Sequence, residues 1–195
     1  MGTDPRRLDG LRADEQVAAR LVERATGATA RANDVGTLQG AYDVFLTWPG
    51  GRTGALEVTS HTGSASRRGV VLLGRERLAH PRRPGPPGVA RIAQDPELDT
   101  LPDAVTALLA QRQVARRAAK VAAARRVDER HLFVAVGEGG LPDALYQRLA
   151  APIGTLPARP PDAPEHLTHL WLVTAWPGSP LLGWERASGW RAHVV

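Results

Sequence analysis

Two carboxylates, Asp43 and Glu57, stand on either side of a turn, and their spacing gives them a shared chemistry. The chain runs Tyr42-Asp43-Val44-Phe45-Leu46-Thr47-Trp48, then Pro49-Gly50-Gly51, then Thr53-Gly54-Ala55-Leu56-Glu57-Val58-Thr59-Ser60. Two β-type runs flanking a Pro-Gly-Gly turn read as a hairpin. A turn centred on Gly50 sets Asp43 across the ladder from Glu57. Directly opposed side chains have Cβ atoms about 5 Å apart, and like charges at that distance repel. A divalent cation is the simplest counter-charge for such an oxygen-donor pair. Side chains alternate along a strand, so Glu57, Thr59 and His61 share one face while Leu56 and Val58 take the other. The result is a polar, acidic site on a strand with an apolar back.

The stretches Asn33-Asp34-Val35-Gly36, Gly40-Ala41-Tyr42-Asp43 and Ala55-Leu56-Glu57-Val58-Thr59 carry a family resemblance. An Asp on one strand, a short turn and Glu-x-(Lys or polar) on the next strand resembles the PD-(D/E)XK nuclease superfamily, in a divergent bacterial branch with a Glu-Val-Thr strand. The resemblance is concentrated in residues 31–61. It implies a restriction-endonuclease-like fold and hydrolysis of phosphodiester bonds in DNA or RNA. It also implies a site holding Mg²⁺ or Mn²⁺ through Asp43, Glu57 and the Val58 carbonyl, with Glu15 on the first helix as a further acidic candidate. The family's catalytic lysine falls at Thr59, whose hydroxyl can hold water but carries no charge. Lys120 is the only lysine in the chain and so the candidate to reach the site from elsewhere. The departure at Thr59 gives the alternative its weight: a catalytically silent nuclease-like domain that binds nucleic acid or a protein partner. A structural accessory role that keeps only the fold is a third reading.

The elements that must position these groups follow from periodicity. Residues 14–26 read as a first helix, with Asp14 as N-cap, an apolar stripe at Val17, Ala18, Leu21, Val22 and Ala25, and Gly27 at C′. Gly69 to Gly74 fits either a short strand or a buried turn of helix. Four prolines between His80 and Gly88 forbid helix there. Residues 103–126 read as one long helix. Its predicted packing face is Val105, Leu108, Leu109, Ala115, Ala119, Ala122 and Ala123, and Gln113, Arg116, Arg117 and Lys120 lie on the other side. His131 to Val136 is a buried strand, 141–150 a short helix and 151–164 a proline-rich connector. A C-terminal β unit covers 167–195, with Trp171, Trp176, Trp184 and Trp190 expected to be packing residues. Helix, hairpin, helix, strand, helix and strands together give an α/β protein, one mixed β-sheet flanked by helices, read as a single domain over 1–195.

Composition narrows the function classes. The chain has 195 residues, a net charge of +5 and no cysteine, which excludes disulfides and Cys-ligated zinc. Residues 64–136 hold 14 basic and 7 acidic side chains, whereas the flanking segments are nearly balanced. A positive excess placed directly after the carboxylate hairpin suits a polyanionic partner, and Arg116, Arg117 and Lys120 are the candidate nucleic-acid contacts. No apolar run approaches the ~20 residues of a membrane helix and no signal-peptide core is present, so a cytoplasmic location is expected. Gly137-Glu138-Gly139-Gly140 lacks a Walker lysine, and Gly63-Ser64 lacks a nucleophile-elbow context. His166 and His169 precede a strand without zinc-type partners. Dinucleotide binding and serine-hydrolase chemistry are unsupported.

Overall fold

The computed structural model describes residues 5–33, 42–61, 64–79, 96–149, 155–174 and 179–193. Among the described residues, seven strands form one mixed sheet in sequence order: β1 (Thr29–Ala32), β2 (Val44–Thr47), β3 (Thr53–Ser60), β4 (Glu129–Val136), β5 (His169–Thr174), β6 (Leu181–Glu185) and β7 (Gly189–His193). β1, β2 and β3 form an antiparallel meander, β3, β4 and β5 are parallel, and β5, β6 and β7 are antiparallel. The parallel strands are therefore the middle of the sheet, where both faces are covered. Their sequences accordingly read as apolar runs rather than alternations; β4 is buried from His131 to Val136.

Helices cover both faces. α1 (Ala13–Thr26) packs Val17, Ala18, Leu21 and Val22 onto the face that carries Leu56, Val58, Phe133 and Ala135. α2 (Ser64–Ala79) packs against α1 and contains the whole Gly69–Gly74 stretch, which is therefore helical. The opposite face, with Ala55, Leu132, Val134 and Leu170, takes α4 (Leu101–Ala110) and α5 (Arg112–Ala122). α3 (Pro96–Asp99) and α6 (Asp143–Arg148) are the remaining α-helices among the described residues.

The single helix expected over 103–126 is two helices. Gln111 is extended, with φ −63° and ψ 133°, and breaks the run. The cause is visible in the buried positions, Val105 and Leu108 in α4 and Val114, Ala118 and Val121 in α5. At 100° per residue, Val114 on an unbroken helix would sit about 120° away from Leu108. One extended residue restores both stripes to the sheet. The alanine face expected for this segment is also corrected: Ala115, Ala119, Ala122 and Ala123 are exposed.

Other boundaries shift for local reasons. α1 starts at Ala13 with Arg12, not Asp14, in the capping position, and Glu15 closes the cap by accepting the Arg12 N–H at 2.8 Å. Gly27 is left-handed at φ 72°, and its N–H bonds the Glu23 carbonyl, as a C′ glycine should. β1 is a strand that periodicity did not reveal. Trp171, Trp184 and Trp190 are buried, as packing residues. The 80–88 loop, Trp176 and residues 34–41 of the motif region lie outside the described residues. Among the described residues no helix is long and apolar enough to cross a membrane.

Candidate functional site

The hairpin forms at the expected register. Gly50 and Gly51 take φ 97° and 87°, values only glycine adopts readily. The Trp48 N–H closes the turn on the Arg52 carbonyl at 3.0 Å. β2 and β3 pair Val44 with Leu56, and the same register extended by one residue faces Asp43 to Glu57. Asp43 is 5% exposed and Glu57 fully buried. Asp43 Oδ2 accepts the Val58 backbone N–H at 2.8 Å, which ties the end of one strand to the middle of the next. Val58 therefore enters the site through its amide, while its side chain packs on the α1 side.

Counter-charge arrives from α5. Arg117 Nη1 lies 2.5 Å and Lys120 Nζ 3.1 Å from the same oxygen, Glu57 Oε1. Residues three apart on a helix share a face, so one stripe of α5 delivers both cations. The only lysine in the chain thus stands at the carboxylate pair. The repulsion anticipated between Asp43 and Glu57 is offset in part by these two side chains. Offsetting is incomplete, because the Glu57 carboxyl is pushed up to about 7, first by burial and then by the charge of Asp43, against Arg117 and Lys120, which pull it down. Asp43 is also raised, by burial, with the Val58 N–H and the two cations opposing.

Glu57 Oε2 and Thr59 Oγ1 are buried without a hydrogen-bond partner among the described residues. Thr59 stands two positions after Glu57 on the same face and is 3% exposed. Glu15 lies within the field of Asp43, and its carboxyl is raised by burial and by that charge. Both its oxygens are occupied: Oε2 takes the Arg12 N–H and Oε1 lies 2.6 Å from the Arg12 guanidinium. Its geometry is that of a capping residue beside the site. Arg116 is exposed, whereas Arg117 and Lys120 are half-buried. Together with Arg112 and Gln113 these side chains line an open groove of about 750 Å³.

A second titratable cluster, not anticipated from the sequence, lies on the α1 face. Glu129, His131 and His169 bring ligand-type atoms within 4.8 Å of one another. Their geometry does not suit a shared cation. The two imidazoles are stacked, with centroids 4.1 Å apart and planes 9° from parallel, so their in-plane lone pairs run side by side rather than converging. Trp171 Nε1–H donates to His131 Nδ1 at 3.0 Å. An indole N–H can only donate, so His131 carries its proton on Nε2 and gives it to Glu129 Oε2 at 2.9 Å. Burial drops His131 to about 3, keeping it neutral, and drops His169 to about 4, with His131 adding to the effect. Arg52 completes the network by stacking on Trp48 at 4.6 Å and pairing with Glu129 at 3.0 Å. The recoverable signal was a histidine at the start of each of two predicted strands.

No family model matches the chain, and no curated protein or solved structure matches it either.

Proposed function

We propose that this protein is a metal-dependent nuclease of the restriction-endonuclease-like kind, hydrolysing phosphodiester bonds of DNA or RNA at Asp43 and Glu57. The observation that carries the reading is Lys120 Nζ at 3.1 Å from Glu57 Oε1. The lysine that the motif lacks at Thr59 is supplied from α5, beside the carboxylate pair. The order α1, β-meander, α5, parallel β4 also agrees with the architecture that the motif resemblance implies.

The donor set fits Mg²⁺ or Mn²⁺. It consists of hard carboxylate oxygens, and one of them, Glu57 Oε2, has no partner among the described residues. Asp43 and Glu57 would hold the ion, which when bound supplies positive charge to polarise the phosphoryl group and acidify water. The chain's own residues do the rest. The Val58 N–H orients the Asp43 carboxylate. Lys120 and Arg117 stabilise negative charge developing on the phosphoryl oxygens, in a site where burial strengthens each interaction. Thr59 Oγ1 offers a hydrogen bond to water or to the phosphate. The exposed Arg112 and Arg116 draw the polyanion to the groove.

A second reading has its own observation. Arg117 at 2.5 Å and Lys120 already give Glu57 two counter-ions, so the site can persist without a cation in a silent domain that binds nucleic acid or a protein partner. Cleavage assays with Mg²⁺ or Mn²⁺ separate the two. Wild type should cut DNA or RNA, Asp43→Asn should lose both cleavage and calorimetric metal binding, and Lys120→Met should lose cleavage while still binding Mn²⁺. A wild type that neither binds Mn²⁺ nor cuts any nucleic acid would refute the nuclease reading.

A further inference from the structure

Beyond the end of α1, the face of the sheet that this helix covers borders an open cavity of about 230 Å³. Alternation along the strands, with the registers of β5, β6 and β7, sets His169, Trp171, Gly183, Glu185, Arg191 and His193 together on this face. Gly183 leaves the floor low, since a Cβ there would stand 2.8 Å from Trp171 Cζ3 and 3.0 Å from His193 Nε2. The wall is made of rings: His193 tilts against Trp171 with centroids 5.4 Å apart, and Trp48 adds a second indole. Charges of both signs line the same space. Arg52 and Glu129 pair with each other at 3.0 Å. Glu185 and Arg191 are diagonal neighbours on β6 and β7, and no ion pair joins them among the described residues.

The hydrogen bonds of His169 fix what it offers to the cavity. Thr168 Oγ1 accepts the Arg130 N–H at 2.8 Å and gives its one proton to the Arg130 carbonyl at 3.0 Å. At 2.9 Å from Thr168 Oγ1, His169 Nδ1 must then be the donor, which leaves Nε2 a bare lone pair. Burial keeps this imidazole neutral. Its cross-strand partner is Glu185, whose Oε1 lies 3.9 Å from His169 Nε2. The Ser188 hydroxyl bonds the other carboxylate oxygen and favours the ionised form. The two side chains are 13% and 38% exposed, so solvent reaches both.

Two acceptors without protons therefore face each other across a gap too wide for a direct bond. A nitrogen about 2.9 Å from each fits between them, and an ammonium brings three donors and a charge to the pair. Tetrahedral zinc holds its ligands roughly 3.4 Å apart, and no third metal-ligating side chain converges on these two atoms among the described residues. With an ammonium in that gap, the exposed Arg191 on the next strand is placed to take a carboxylate of the same molecule. The cavity lies below the roughly 300–1,000 Å³ of drug-sized ligand sites, which limits the occupant to about the size of an amino acid.

We propose that this cavity binds a small zwitterion of the amino-acid class, its ammonium held by Glu185 Oε1 and His169 Nε2 and its carboxylate by Arg191. The site is separate from Asp43 and Glu57 and does not depend on the nuclease reading.

Calorimetry on the full chain tests this with L-leucine, whose apolar side chain suits the ring wall. Its controls are 4-methylpentanoate, which lacks the ammonium, and L-leucinamide, which lacks the carboxylate. Leucine should bind wild type at least about tenfold tighter than either analogue, the size of one charge-assisted hydrogen bond. Glu185→Gln should weaken leucine about tenfold and narrow its advantage over 4-methylpentanoate to roughly twofold. Arg191→Gln should weaken leucine by a similar factor and narrow its advantage over leucinamide in the same way. Both substitutions fall on solvent-accessible side chains, and circular dichroism reports whether each variant is folded. Glycine and L-phenylalanine, titrated beside leucine, bracket the side-chain size. Binding of none of the three amino acids, equal binding of leucine and its analogues, or folded variants that keep wild-type affinity for leucine would overturn the proposal.

Discussion

Glu57 makes stability depend on pH in the direction opposite to that of most carboxylates. Its folded value of about 7 stands above its ordinary 4.5, so the folded state holds this proton more tightly than the unfolded chain. The stabilisation is complete below pH 4.5 and is lost as pH rises through about 7. At 1.36 kcal/mol per unit, the shift corresponds to about 3 kcal/mol between pH 4.5 and 8. The side chain is fully buried, so solvent screens this effect little. His131 and His169 act with the other sign. Their depressed values mean that acidification from pH 6.5 destabilises the fold. The total pH profile therefore mixes opposing slopes, and Glu57→Gln isolates one of them. The variant also alters the contacts of Arg117 and Lys120, but that offset is the same at every pH. Urea unfolding at intervals from pH 4.5 to 8 should show the variant gaining about 3 kcal/mol on wild type across the range. With m near 2–3 kcal/mol/M this is roughly 1 M in midpoint. Mn²⁺ at about a hundred times its dissociation constant should add ~2.7 kcal/mol to wild type at pH 8 and nothing to Glu57→Gln. Parallel profiles for wild type and variant would refute the account of Glu57 as a carboxylate forced to share a buried space with Asp43.

Acidification should expose the histidine network: wild type should lose about 3 kcal/mol from His131 between pH 6.5 and 4, and His131→Gln should flatten that limb in the same urea series. Gly74→Ala should destabilise by about 1–3 kcal/mol, since the new Cβ would stand 2.1 Å from Val17 Cγ1 where α2 meets α1; an unchanged thermal midpoint would show that the two helices do not pack this closely. Nucleic-acid affinity should fall steeply with salt, and Arg112→Ala with Arg116→Ala should reduce the log–log slope by about one per residue lost from the groove, as measured by anisotropy between low and moderate salt.

Neighbouring residues settle part of this structure among themselves. Pro49-Gly50-Gly51 can only turn, and alternation on either side leaves one register that buries Val44, Leu46, Leu56 and Val58 together. The facing of Asp43 and Glu57 follows from that local geometry. The first helix and its glycine stop are legible for the same reason, as is the α/β class, from runs of one period following runs of the other. The break at Gln111 was not legible, because no proline or glycine marks it; it exists so that two apolar stripes out of phase can both meet one sheet. Nor did spacing reveal that His131 would stack on His169 and accept the Trp171 N–H, since β4 and β5 become neighbours only through the parallel pairing of the sheet. The same holds for the centre of the candidate site. Sequence composition named Lys120 as the only lysine, but its place beside Glu57 depends on how α5 is rotated and set down on β3. That rotation is chosen by the burial of Val114, Ala118 and Val121, apolar contacts that carry Arg117 and Lys120 to a carboxylate about sixty residues earlier in the chain.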